Sequence, residues 1–372
     1  MIKKMDIVSK LRQDFVIEKI KKTNWSKGTN APLIVELDPT AVCDLACPGC
    51  ISEDIIATNN SFSSNRLLEI GRELKDMDVK GVIFIGGGEP LAHPAFGDLI
   101  RYFGLNDISS GITTNGTFIN RYLNEIAEYS SWTRVSIDAS SEEIFSILRP
   151  TKGGKSKFSI IIENMRKLAK IKVGKLGYSF LVRSEAEGDG MISNIHEIYS
   201  AAVLAKDIGC DYFEVKPSYN YKNDVAHSLV KHSPERMQEL RQEMEKLDDL
   251  VDESFSVTKA ITLDSSIDGV RKHQVKKYTT CPTTELRTLI TPLGTYVCPY
   301  WRGKENFMVG DAKTTNFKEL WNSFERRSIQ SWLDPSKHCS QIHCLRDESN
   351  VEILNLINNK QIDVLDEYDR FI

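Results

Sequence analysis

The chain has 372 residues, 41% hydrophobic and 27% charged, with a formal net charge of −4. That balance excludes a basic field for nucleic acid or an anionic membrane. No apolar run near the N-terminus reads as a signal peptide, and no stretch is long enough to span a bilayer. The expectation is a cytoplasmic chain of two domains, or one large α/β domain with an appendage. Its eight cysteines are then reduced, so that clusters of them read as metal or catalytic sites rather than disulfides.

Residues 1–30 carry apolar positions at helical spacing (Ile7, Leu11, Phe15, Val16, Ile20) and predict a capping helix. From 31 to 225, β-like runs alternate with helical ones. The strands expected are 33–37, 81–85, 111–114, 133–138, 177–182 and 212–216; the helices are 66–77, 119–130, 157–170 and 193–208. Repeated β–α alternation predicts a parallel sheet with crossover helices, either a partial (β/α)6 barrel or a doubly wound sheet. Residues 226–277 read as a helical connector, with a charged amphipathic helix over 233–250 and a polar remainder. Residues 278–347 hold a hairpin turning at Pro292-Leu293-Gly294, a helix over 317–332, and four cysteines. A tail, 348–372, completes the chain.

Every distinctive motif falls at the C-terminal end of an expected strand, where barrel enzymes collect their chemistry. Cys43, Cys47 and Cys50 follow the first strand with the spacing C-x3-C-x2-C. Three thiolates hold three irons of a [4Fe–4S] cluster and leave the fourth open to an outside ligand. The competing reading is zinc completed by a distant ligand. Gly87-Gly88-Glu89-Pro90 follows the second strand; its glycines permit close approach to a ligand, and a carboxylate there suits an ammonium group. Asn115 ends the third strand, Ser136 and Asp138 the fourth, and Arg149 opens the stretch RPTKGG. Taken singly, these polar residues read as turn and capping chemistry.

The cysteine triplet followed by GGGEP resembles the radical S-adenosylmethionine (radical SAM) superfamily. The resemblance implies a partial (β/α)6 barrel with SAM chelated to the open iron. One electron cleaves SAM to methionine and a 5′-deoxyadenosyl radical, which takes hydrogen from substrate. It further implies that Gly87, Gly88, Glu89 and Pro90 bind the methionine amino group, with Asn115 as a further contact. Ser136, Asp138 and Arg149 then belong to the hold on the SAM carboxylate, for which a guanidinium is suited. The sequence departs from the family at Gly49, where an aromatic residue often precedes the third cysteine. Arg183 and Lys216, ending the fifth and sixth strands, point to the same mouth as candidates for substrate contact or proton transfer. The competing reading for them is ion pairing with Glu185, Glu187 or Glu214.

Cys281, Cys298, Cys339 and Cys344 make a second, complete ligand set, and their spacing alone leaves zinc and iron–sulfur open. The run TPLGTYVCPYWRGKENFMVGD followed by FKELWNS resembles the SPASM extension in its shortened, twitch form, which implies a second, auxiliary [4Fe–4S] cluster. Cys210 reads as a buried small hydrophobe, and His93 as structural. The expected function is oxidation of a small polar molecule such as an aminocyclitol, sugar or sugar nucleotide, with a flavodoxin or ferredoxin as electron donor. The alternatives are a peptide-modifying maturase forming a crosslink or inverting a centre, and a redox-neutral carbohydrate epimerase or dehydratase. A metal-binding module without activity fails to explain GGGEP.

Overall fold

The computed structural model describes residues 2–4, 6–187, 190–220, 228–230, 232–260, 262–264, 276–359, 364–365 and 369–371, with the backbone alone at 4, 185–187, 190, 191, 220 and 228. Six strands lie side by side in chain order and run parallel. They are β1 (Ile34–Leu37), β2 (Gly81–Phe84), β3 (Ser109–Thr114), β4 (Ser130–Ser136), β5 (Lys175–Val182) and β6 (Tyr212–Pro217). β1 and β2 are buried at every position, as a parallel sheet covered on its outer face requires. The sheet curls without closing and makes a partial barrel, as the β–α alternation predicts.

Helices cover the outer face. Ser63 caps α1 (Ser64–Asp76) by accepting from Arg66 N at 3.2 Å. The Leu67, Ile70 and Leu74 side chains of α1 are wholly buried, each contributing about 1.5–3 kcal/mol. Gly71 lets α2 (Phe96–Leu105) approach, since a Cβ there would stand 2.6 Å from Leu99. The expected helices over 119–130 and 193–208 each open with a 3-10 turn, at Ile119–Tyr122 and Ile195–Glu197.

Four features differ from expectation. The fourth strand stops at Ser136 rather than Asp138, because Asp138 takes a left-handed φ of +63°. The predicted helix over 317–332 is two, Phe317–Trp321 and Phe324–Trp332; Ser323 restarts the chain as an N-cap by accepting from Arg326 N. The stretch 251–277 is not merely connector. Its Ser256–Lys259 strand, β7, pairs in parallel with β6. At the opposite edge β8 (Arg287–Thr291) pairs in parallel with β1 and begins the antiparallel run of β9 (Gly294–Tyr296) and β10 (Met308–Gly310). The cysteine-bearing extension therefore grows out of the barrel sheet.

The tail also has a definite place. Asp347–Asn358 forms a helix against the N-terminal helix Asp14–Lys22, with Arg12 bonded to Glu352 at 2.9 Å. Phe371 meets the Trp132 ring edge-on at 5.4 Å and lies against Gly81. Both are at the N-terminal ends of their strands, so the tail closes the barrel floor and leaves the opposite mouth for chemistry.

Candidate active site

The loop after β1 holds Cys43, Cys47 and Cys50 as half-buried free thiols. Each lies within electrostatic range of the next. Burial pushes the Cys43 thiol up to about 12 and raises Cys47 as well. Such thiols stay protonated unless a cation replaces the proton, so loading a metal here releases protons. Gly49 has φ +64°, and the Arg183 guanidinium lies over it, donating to Pro48 O at 3.2 Å. A cationic side chain thus covers the position where the resemblance leads one to expect an aromatic ring.

The glycine loop after β2 packs directly on the cysteine loop. Glu89 N donates to Val42 O at 2.8 Å. A Cβ on Gly88 would stand 2.5 Å from the Ala41 carbonyl carbon and 2.6 Å from Val42 O. These are backbone atoms with no rotamer to yield, so Gly88→Ala should destabilise by about 1–3 kcal/mol. It should also load iron poorly; thermal unfolding and iron content check both. Glu89 itself is wholly buried. Its carboxylate accepts from Leu91 N (3.0 Å), Thr114 Oγ1 (2.6 Å) and Asn115 N (2.7 Å). Burial nevertheless pushes it up to about 7, since these neutral donors do not fully replace water. Asn115 turns back to the cysteine loop, its Nδ2 standing 2.9 Å from Asp44 Oδ1 and 3.9 Å from Cys43 Sγ. Pro90 opens a 3-10 turn that Glu89 caps. His93 is buried against Phe62 O at 2.9 Å, a structural place.

From the fourth strand end, Asp138 accepts from Arg149 Nε (2.9 Å) and Nη2 (2.5 Å), and its other oxygen accepts from Leu181 N at 2.8 Å. The left-handed turn at Asp138 aims its carboxylate at that guanidinium. Arg149 also lies within range of Cys47 and Cys50. Ser136 stands half-buried at the end of β4. Arg183 and Lys216 both reach the mouth. Lys216 lies 3.9 Å from Glu214, but Arg134 holds the same oxygen at 3.0 Å. The pairing expected as the competitor is therefore weak. Burial, with repulsion from Arg134, lowers Lys216 to about 8. The side chains of Glu185 and Glu187 lie outside the described residues.

Sequence reasoning missed the charged lining beneath this mouth. Arg287 meets Glu36 at 2.6 Å, and Arg302 meets Asp38 at 2.9 Å. Both arginines come from the C-terminal extension and clamp it to β1. Glu36 also acts on Arg134, three strands away, so both point into the barrel interior. Asp38 is pushed up to about 7 by burial and by Glu36, against the pull of Arg302. The alternation of Glu36 and Asp38 in the run VELD was the available signal, since inward positions recur every second residue.

The second thiol set also comes together. Cys281, Cys298, Cys339 and Cys344 all lie within electrostatic range of one another. Among the described residues, no three His, Cys, Asp or Glu side chains converge enough to hold one metal ion. Arg346 N donates to Cys344 Sγ at 3.3 Å, and Cys281 Sγ lies 3.6 Å from Asn350 Oδ1. Beneath them Lys276 is buried on Asp347 at 2.7 and 2.8 Å, with Tyr278 on the same carboxylate. Cys210 is buried in the core, as expected.

A partial parallel barrel thus carries three free thiols and a glycine-rich acidic turn at adjacent strand ends, the arrangement the resemblance leads one to expect. Residues 37–188 match the model of the radical SAM superfamily. The chain is similar to the mycofactocin maturase MftC of Mycobacterium tuberculosis (strain CDC 1551 / Oshkosh), 27% identical over 150 residues, 39% of this chain and 36% of the relative. The match thus spans about a third of that relative's length. Among solved structures, Streptococcus suis SuiB bound to the precursor peptide SuiA superposes with a TM-score of 0.60 at 17% identity, over 85% of this chain and 71% of that one. The structure of anSMEcpe with bound AdoMet and the Cp18Cys peptide gives 0.57 at 15% identity, over 88% and 99%. At these identities they show the fold alone. No helix among the described residues is long and apolar enough to cross a membrane.

Proposed function

We propose that this chain is a radical SAM enzyme that modifies a peptide, by crosslinking or by inverting a centre. The observation that carries the reading is the company it keeps: a maturase in sequence, and two peptide-bound proteins in fold. Cys43, Cys47 and Cys50 would hold a [4Fe–4S] cluster, with SAM bound beside it. The bound pair supplies one-electron cleavage of SAM and hydrogen abstraction from substrate. The residues fit it: three thiols without a fourth in the loop, a buried carboxylate held high by desolvation, and a guanidinium beside the thiols.

Glu89, raised to about 7, gains most from an ammonium partner, and the amino group of SAM supplies one. Gly87 and Gly88 keep the turn close enough for it. Asp138 aligns Arg149, and Arg149 with Ser136 receives the SAM carboxylate. Lys216, lowered to about 8, accepts a proton from substrate when neutral. Product formation should then rise between pH 7 and 9 with a midpoint near 8. Lys216→Met should flatten that profile while 5′-deoxyadenosine formation keeps its own.

Oxidation of a small polar molecule is the second reading, favoured by four auxiliary thiols where the full SPASM form has seven. The deciding experiment supplies reconstituted enzyme with SAM, reductant and either a short precursor peptide encoded beside the gene or a panel of aminocyclitols and sugars. A peptide that loses two hydrogens, or gains one deuterium from heavy water, supports the peptide reading. Turnover of the small molecules alone overturns it.

A further inference from the structure

An electron must reach the Cys43–Cys50 loop from outside, and one face of the molecule leads directly to that loop. Ala46 N donates to Pro150 O at 2.7 Å, and Leu45 bridges Thr151. The segment 150–157 is thus fastened to the chain between Cys43 and Cys47. It carries Lys152, Lys155 and Lys157, the first two exposed and the third half-buried. Around Gly153 and Gly154 a Cβ would meet nothing within 4 Å, so the face is open. No carboxylate pairs with these lysines among the described residues, whereas Lys167 on the next helix is neutralised by Glu163 at 2.7 Å.

Apolar side chains flank the lysines. Ile147 and Ile160 are 43% and 46% exposed, and Ile51, next to Cys50, is 54% exposed. Ile147 and Ile160 each stand two residues beyond Phe145 and Phe158, whose rings pack 5.5 Å apart. They therefore turn outward at neighbouring points of the surface. Further along the chain from Ile51, the exposed Glu53 and Asp54 carry the opposite sign. An apolar centre with one cationic flank is the anatomy of a small, transient interface, where charge sets encounter rate and orientation.

We propose that this face, Lys152, Lys155 and Lys157 with Ile147, Ile160 and Ile51, docks a small acidic one-electron carrier protein. The reduced carrier loses one electron and the cluster gains it; no proton or bond changes hands. The inference rests on the radical SAM reading of the cysteine loop and names where its reductant binds.

The test uses the reconstituted full chain and its Lys152→Glu, Lys155→Glu, Lys157→Glu triple variant. 5′-Deoxyadenosine is measured with dithionite, and separately with flavodoxin, its reductase and NADPH. Binding of oxidised flavodoxin is titrated calorimetrically on the same samples. The triple variant should raise the KM for flavodoxin and weaken its binding by about tenfold or more, within the range that steering charges command. Its dithionite rate should stay within about twofold, because a small reductant needs no docking face. The wild-type flavodoxin rate should fall steeply with salt, and a triple Lys→Arg variant should restore it. Equal loss with both reductants, or unchanged flavodoxin binding and KM, overturns the proposal. Absence of 5′-deoxyadenosine from the wild-type enzyme with dithionite would instead sink the role given to Cys43–Cys50, and the calorimetry would still decide the docking.

Discussion

Cys47→Ala should lower 5′-deoxyadenosine formation by more than about a hundredfold, because losing a residue that merely supports a metal ligand already costs 10- to 100-fold. Iron should fall by about four per chain, and any metal at the C-terminal thiols should remain. The fold should survive, since Cys47 lies in a loop fastened by backbone bonds of its neighbours, Ala46 to Pro150 and Glu89 to Val42. Cys210→Ala is the matched control. Cys210 is equally a free thiol but is buried in the core behind β6. It should cost a little stability and leave iron and turnover unchanged. Iron analysis, 5′-deoxyadenosine by chromatography and thermal unfolding read all three quantities. If Cys47→Ala keeps its turnover, the cysteine loop is not where SAM is cleaved.

The six strands were legible because they are short, largely buried and separated by amphipathic helices, so that two periodicities announce them. The strand-end motifs were legible because they combine rare residues in fixed order. What stayed hidden depends on partners remote in sequence. Ser256–Lys259 is a polar run with no alternation, and becomes a strand only because β6 offers an edge. Phe371 gives no local sign that it packs on Trp132, 239 positions away by number (371 − 132). The Glu36–Arg287 and Asp38–Arg302 pairs join β1 to an extension that begins some 250 residues later. Such pairs become readable only once topology has brought β8 beside β1. The identity at Gly49 was plain, but not its consequence: a left-handed backbone with Arg183 lying over it.

Cys344→Ala should separate the two thiol sets by function. 5′-Deoxyadenosine formation should persist within a few-fold, because the mutated thiol belongs to the other set. Product formation should fall by more than about a hundredfold if the second site takes the electron left on substrate after hydrogen abstraction. The effect should extend to stability. Cys344 accepts from Arg346 N, and three residues on, Asp347 anchors buried Lys276 and Tyr278. Burying such a charge pair is tolerable only while its geometry holds, and disturbing one costs about 3–5 kcal/mol. Metal content then decides what the site is. Loss of about four irons with zinc unchanged marks an iron–sulfur cluster, whose four thiolates leave no iron open and confine it to electron transfer or scaffolding. Loss of one zinc with iron unchanged at about four marks a structural site. Zinc accepts no electron, so an enzyme built that way must return its hydrogen atom or release a redox-neutral product. Inversion of a centre would then be favoured over crosslinking, because inversion alone leaves the substrate's electron count unchanged.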